Sequence, residues 1–362
     1  MSVAAVHRLG LIDAVKAIAS NLIVLHHLAF YGPMTDVAAP LLPDLFAWLA
    51  GDARIAVQAF LVLGGFLAAR SLSAAPAVLL REPHWLLLRR YLKLAPPFIA
   101  AMLIAALASE LARAWMQHAS ISAPATPQQL AAHALLLHDV LGLEALSAGA
   151  WYVAIDFQLY ALLTALLWLV RAGGGGQRAA ALAVMALAAL SLWHLNLDPD
   201  WDVWAPYFFG SYALGALAWW ACSHERAGGL LTTAVLALGG IALLVDFRSR
   251  IALALGIALL LILVFRLRLR VPGEHSAVLG FLGRISYAVF LVHFPVSLVV
   301  NAAFQRFAPR DAEVQMAGVV LAWVASLAAG YAFHRWLEVP LGRWAAGMGA
   351  QRADKPYGRR YG

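Results

Sequence analysis

Charge is what this sequence has least of. Only 12% of its 362 residues are Asp, Glu, Lys or Arg, about half of the ~25% common in a soluble domain. Hydrophobic residues make up 63% of the chain, and mean hydropathy is +0.78. So few charges cannot solvate so much apolar surface, which excludes a soluble globular fold and leaves a polytopic membrane protein. Cysteine is nearly missing. The single Cys222 excludes an intramolecular disulfide and a cysteine-based metal site, so no metal is expected. Although the net charge is +7, no run of Lys and Arg forms a soluble basic domain. The basic residues lie between apolar runs, where membrane topology accounts for them, and nucleic acid is rejected as a partner. There is no HExxH, no GxSxG elbow and no repeat of 20–50 residues. The glycine run "AGGGGQR" (172–178) lacks the Lys-Ser/Thr of a phosphate loop and reads as a flexible turn.

What is present is a series of apolar runs. A crossing helix needs about 20 mostly apolar residues. Candidate spans lie near 11–31, 54–72, 94–116, 150–170, 179–197, 205–222, 230–246, 251–267, 279–301 and 314–336. The fold class expected is therefore all-α, a helical bundle of about ten transmembrane helices with both termini on one side. With the termini placed inside, eighteen Lys and Arg fall in inner segments and six in outer ones; the positive-inside rule then makes both ends cytoplasmic. Residues 1–345 form the expected transmembrane domain, and 346–362, polar and Gly-rich, a flexible cytoplasmic tail with mild affinity for anionic lipid. Residues 117–149 are too polar at their start to span. They are expected as an outer loop with a partly helical, re-entrant segment against the bundle. Asp13, Lys16, His26 and His27 interrupt the first run, which argues against a cleaved signal peptide.

Those interruptions are ordered. At about 100° per residue, Asp13, Lys16, Ser20 and His27 fall within roughly a 60° arc, whereas His26 lies off it. Lys16 and His27 are separated by a rise of about 16 Å. One face of the first span thus carries charge at one end and an imidazole toward the other. Asp13 and Lys16 are also compatible with a merely interfacial position, and His27 with a simple structural hydrogen bond. Their shared face points instead to a polar channel, in which a histidine makes a good general base.

Other polar groups sit inside or beside spans. Arg89, Arg90 and Lys93 in "HWLLLRRYLKLAPPF" serve either as positive-inside anchors or as a site for a phosphorylated ligand. Asp156 in "GAWYVAIDFQLYALLTALLW" lies about two turns into its span and shares a face with Tyr152 and Tyr160. It reads as a structural ion pair or as the partner of an imidazole. Ser286, His293, Ser297 and Asn301 align within about 80°, a pattern that often only glues helices. Glu338 beside Arg335 reads as a surface ion pair.

Taken in order, these stretches resemble the membrane-bound acyltransferase-3 family, the bacterial O-acyltransferases of cell-surface carbohydrates and lipids. "DAVKAIASNLIVLHH" is similar to that family's opening Asp-x-x-Arg followed by a His, here Asp13, Lys16 and His27. "FLVLGGFLAARSL" (60–72) resembles its second helix. "RRYLKLAPP" (89–97) resembles Arg-x-x-Arg-x-x-Pro, here Arg90, Lys93 and Pro96. "WYVAIDFQLY" is similar to Trp-x-x-x-x-Glu-x-Gln-x-Tyr, and "LGRISYAVFLVHFP" follows the family pattern. The departures are Lys at 16 and 93 for Arg, Gly64 for Ser, and Asp156 for Glu. Lysine keeps the charge but loses the bidentate fork.

The resemblance covers Asp13 to Pro340 and implies a stand-alone acyltransferase of the bacterial cytoplasmic (inner) membrane, without an appended hydrolase-like domain. It implies no permanently bound cofactor. Acyl-CoA, with acetyl-CoA the default, would be the donor, its phosphates near Asp13, Lys16, Arg89, Arg90 and Lys93. The acceptor would be a hydroxyl of an extracytoplasmic carbohydrate or glycolipid. His27 would be the general base, with Asp156 orienting it or gripping the acceptor, and Trp151, Tyr152, Tyr160, Ser286 and His293 would line the acceptor site. Membrane lipids are expected neighbours. Rival readings are a multi-span exporter of a polar or anionic solute without acyl chemistry and a lipid-binding partner of a polysaccharide assembly complex.

Overall fold

A computed structural model describes residues 3–269 and 276–353, and no strand occurs among them. Ten long helices follow in order: α1 (Val3–Tyr31), α2 (Val57–Ser73), α3 (Pro83–Trp115), α4 (Ala150–Ala172), α5 (Gln177–Trp193), α6 (Ala205–Ser223), α7 (Gly228–Val245), α8 (Ser249–Leu267), α9 (Ala277–Phe307) and α10 (Ala312–Phe333). Among the described residues, nine helices are long and apolar enough to cross a membrane. The expected crossing that falls short in apolarity is α6, where Tyr207, Tyr212, Trp219 and Trp220 lie among Gly and Ser. Its dilution has a packing reason. Helix α6 is buried on nearly every side, with Phe209, Tyr212 and Trp220 fully enclosed, so it meets protein where the others meet lipid.

Close backbone approach fixes that central position. A Cβ at Gly65 on α2 would fall on the backbone of Tyr212, and one at Gly215 on α6 would fall on the backbone of Val62. Without a hydrophobic drive between helices in lipid, such small residues let dispersion act across the contact. On the other side of the bundle α1 lies along α9, and α9 along α3 and α10.

The segment between α3 and α4 returns toward the bundle. Its short helix Pro127–Ala134 begins in a capping box between Thr126 and Gln129. Tyr91 Oη donates to Ala134 O at 2.7 Å, and the rings of His133 and His138 stack 4.0 Å apart near Phe98. Phe98 lies 17 residues before the end of α3, which on an ideal helix is about 25 Å below it. Irregular backbone at such depth requires internal partners. Gln129 Nε2 supplies one to Glu144 O at 2.6 Å, and His133 Nε2 accepts from Leu146 N at 3.1 Å.

Two details depart from expectation. Glu338 pairs with His334 at 2.7 Å, not with Arg335; the two are i, i+4 neighbours on one helix face, within a π-turn over His334–Glu338. The helix Val339–Ala353 (α11) continues into the stretch expected to be a loose tail. Ala, Met, Gln and Arg favour helix strongly enough to carry it past Gly347 and Gly349. Residues 354–362 of that tail lie outside the described residues.

Candidate active site

Helix α1 presents its polar face to the bundle, and two chambers open along it. The first, about 300 Å³, is lined by Lys16, Arg90, Lys93 and Arg284, with Asp156 and Glu338 among them. Four cations against two carboxylates make an electropositive recess, suited to an anionic group. Lys16 Nζ lies 3.4 Å from Asp13 Oδ1, one turn away on the same helix. Asp13 itself abuts α9, where Gly283 leaves room for its backbone. Arg90 pairs with Asp156, and its guanidinium sits 5.3 Å from the ring centre of Tyr160. Tyr152 and Ser286 also line this recess, with Ser286 Oγ donating to Gly283 O at 2.9 Å. Arg89 is exposed and turned away from it.

The second chamber, about 230 Å³, contains His26, His27, Tyr31, Arg54 and Trp151. His26 faces Leu49 O at 2.8 Å, a structural contact with the helix Pro43–Gly51. His27 does something else. Its Nδ1 lies 2.6 Å from His293 Nε2, and the two rings are nearly parallel, 7° apart.

The tautomers follow from what lies beyond. His293 Nδ1 faces the carbonyl oxygens of Phe290 at 2.8 Å and Val289 at 3.2 Å. Carbonyls only accept, so His293 carries its proton on Nδ1 and presents a bare Nε2. That Nε2 must accept, so His27 donates from Nδ1. The remaining nitrogen, His27 Nε2, is left with a free lone pair. This is the logic of a base whose second nitrogen is held by an orienting partner, with a fully buried imidazole, His293, in place of a carboxylate.

Of the readings open for Asp156, partner of His27, grip on the acceptor or structural ion pair, the structure shows an ion pair with Arg90, and His27 has His293 as its partner. Asp156 faces Arg90 because they sit at the same level of α4 and α3, in the first chamber. His293, expected against substrate, instead backs the imidazole. Trp151 lies at the second chamber and stacks on Phe208, ring centres 5.5 Å apart. Gly64 also has a reason: a Cβ there would meet Tyr212 Cε2 at 3.1 Å and Asp156 Oδ1 at 3.2 Å, so the Tyr212 ring takes the space a serine would use.

The two chambers meet at Phe290, which lines both. Its ring packs against Tyr152 at 5.5 Å and Phe60 at 6.4 Å. Gly149, in a left-handed conformation at φ 82°, allows this packing, since a Cβ would come within 2.8 Å of Phe290 Cζ. The passage expected between Lys16 and His27 is thus divided by one aromatic partition. Sequence reasoning did not single out Phe290, Tyr212 or Arg54; isolated aromatics and a lone arginine carry no spacing signal. Arg284 and Glu338 lie far apart in the chain, and only helix packing brings them to Lys16 and Lys93.

Among the described residues no cluster of His, Cys, Asp and Glu is arranged to hold a metal ion. The model of the family described as "acyltransferase domain" matches residues 10–335, nearly the whole chain. No curated protein and no solved structure matches it.

Proposed function

The chain belongs to the acyltransferase-3 family and is a membrane acyltransferase, and from that premise we propose that it moves an acyl group, acetyl by default, from acyl-CoA to a hydroxyl of an extracytoplasmic carbohydrate or glycolipid. The observation that carries this reading is a division of labour along one helix: a cationic recess at Lys16 and a histidine with a free nitrogen at His27. Acyl-CoA has the same polarity, with anionic phosphates at one end and a thioester at the other. The phosphates lie at Lys16, Lys93 and Arg284. Arg90 is held in place by Asp156 and adds field as well as contact. The pantetheine arm passes Phe290 and brings the thioester to the second chamber.

There the acceptor hydroxyl gives its proton to His27 Nε2 as its oxygen attacks the thioester carbonyl. The carbon–sulfur bond of the tetrahedral adduct breaks, the new ester forms, and the proton returns from His27 to the departing thiolate. The ring is neutral again and free CoA leaves. His293 holds the His27 ring in the reactive tautomer and accepts its Nδ1 proton in a hydrogen bond throughout. The distribution of Lys and Arg supports a cytoplasmic position for the Lys16 end, where acyl-CoA is made. The protein is then a multi-pass protein of the bacterial cytoplasmic membrane.

The test is CoA release from acetyl-CoA by purified protein with added acceptor. His27→Ala should insert normally and lose transfer by about 10²- to 10⁴-fold, the usual contribution of a general base. Transfer at the wild-type rate in that variant would remove His27 as the base, and no acyl chemistry in the wild type would return the chain to the exporter reading.

A further inference from the structure

Attack on a thioester at His27 leaves a negative charge on the former carbonyl oxygen, and that charge needs a donor already in place. The chamber around His27 offers few. Ile23, Phe30, Val57 and Phe290 line it without a polar side-chain atom. His27 is committed at both nitrogens, Nδ1 to His293 and Nε2 to the proton that it takes. His26 donates from Nδ1 to Leu49 O, so its Nε2 is bare and only accepts. The side chains left to donate are those of Tyr31, Trp151 and Arg54.

Arg54 differs from the other two in its charge. It is the only Lys, Arg, Asp or Glu in the lining, so no carboxylate of the chamber neutralises it. Among the described residues its guanidinium makes no ion pair and no hydrogen bond. With Val57 and Trp151 it forms the wall shared with a cavity of about 780 Å³. Asp52, Asp139 and Asp202 line that cavity and not the chamber. The backbone of Arg54 is fixed. It lies in the 3₁₀ turn Ala53–Ala56, whose two alanines are buried, and this turn packs on α1. The guanidinium is near enough to His26 for its charge to act there. The residue itself is exposed, which puts the chamber's one permanent cation at its mouth.

We propose that Arg54 is a catalytic residue of the acyl transfer. Its guanidinium donates to the thioester oxygen as that oxygen takes up the carbonyl electron pair. It holds the oxyanion of the tetrahedral adduct and releases it when the carbon–sulfur bond breaks and the carbonyl re-forms. The assignment deepens the acyl-transfer reading and rests on it: His27 takes the proton of the attacking oxygen, and Arg54 meets the charge on the other one. The planar fork offers two parallel N–H groups where a lysine offers a point charge.

The experiment is CoA release from acetyl-CoA by the full-length protein in lipid nanodiscs, with water alone and with maltotriose as the added hydroxyl. Both reactions pass through the same oxyanion. Losing one such donor usually lowers kcat by about 10²- to 10³-fold, and water at the mouth weakens the field of Arg54. Arg54→Gln should therefore lower kcat at least about tenfold, by the same factor for either nucleophile. Its affinity for acetyl-CoA, read by titration, should stay at the wild-type value. Arg54→Lys should recover part of the rate, and added ethylguanidine should raise the rate of Arg54→Ala but not of the wild type. Tyr31→Phe should lose less than Arg54→Gln, and Arg310→Gln, outside both chambers, should change nothing. A wild-type rate in Arg54→Gln, a loss confined to the sugar reaction, or a loss explained wholly by weaker acetyl-CoA binding would overturn the proposal. In each of these the wild type still turns over, and the acyl-transfer reading stands. A wild type that releases CoA with neither nucleophile removes that reading and the Arg54 assignment with it.

Discussion

Replacing His293 by leucine removes the acceptor for the His27 Nδ1 proton while keeping an apolar group of similar bulk. Three contacts vanish: the 2.6 Å bond between the rings and the bonds from Nδ1 to Phe290 O at 2.8 Å and Val289 O at 3.2 Å. His27 is then left with a donor that has lost its partner in a water-poor chamber, a loss of about 1–3 kcal/mol for a buried unsatisfied group. The ring can escape by turning or by moving its proton to Nε2, and either change removes the free lone pair from the acceptor side. If that energy is needed to reach the reactive arrangement, kcat falls about 5- to 150-fold, at 1.36 kcal/mol per decade. His293→Gln places an amide oxygen near the position of Nε2 and should recover most of the loss. The assay is steady-state CoA release at saturating acetyl-CoA, with acceptor varied so that kcat and KM are read separately. Only kcat should respond. Leucine and glutamine variants with equal kcat, or a leucine variant at the wild-type rate, would show that the imidazole–imidazole bond does not hold the base.

Three further outcomes follow from the geometry. Phe290→Ala opens the partition between the chambers and should raise acceptor-independent hydrolysis of acetyl-CoA, seen as CoA release without added sugar; unchanged hydrolysis would mean the ring does not keep water from the thioester. Asp156→Asn strands Arg90, whose side chain is 23% exposed against 7% for Asp156, and should lower stability by about 3 kcal/mol. The double variant Arg90→Met/Asp156→Leu should lose less than the sum of the single ones in a detergent unfolding assay, and strict additivity would deny the pair. Burial and the charge of Asp202 raise the Asp139 carboxyl to about 6. Its protonated form is favoured by the fold, so its contribution to stability is full below the ordinary carboxylate range and lost as pH rises through about 6. In a detergent unfolding assay the wild-type midpoint should therefore fall as pH rises through about 6, and Asp139→Asn should flatten that profile; a wild-type profile that is already flat would deny the shift.

Much of the fold is legible in the chain because the bilayer enforces it. Long apolar runs must become helices, and the interruptions within them must face protein. The stripe from Asp13 to His27 is visible for that reason, as is the cluster at Arg90 and Lys93. Partnerships between distant segments are harder to read. His27 and His293 are 266 residues apart and meet because α1 and α9 run side by side. Arg90 finds Asp156 through the contact of α3 with α4. Helical periodicity says which face each residue occupies and nothing about what lies across from it. Helix α6 shows a further limit: its aromatic and small residues dilute its hydropathy, although it lies at the centre of the bundle. The aromatic partition at Phe290 and the cavity behind Trp151 leave no periodic trace at all.

The most direct trial of this account is a paired titration of acetyl-CoA into His27→Ala and Lys93→Glu, with transfer measured on the same preparations. The donor's handle and the proton-accepting ring are assigned to opposite ends of one passage, so the two variants should fail differently. His27→Ala should bind acetyl-CoA as the wild type does and not turn it over, while Lys93→Glu should bind it at least tenfold more weakly. Normal transfer in the first variant, or unaltered donor affinity in the second, would contradict the assignment.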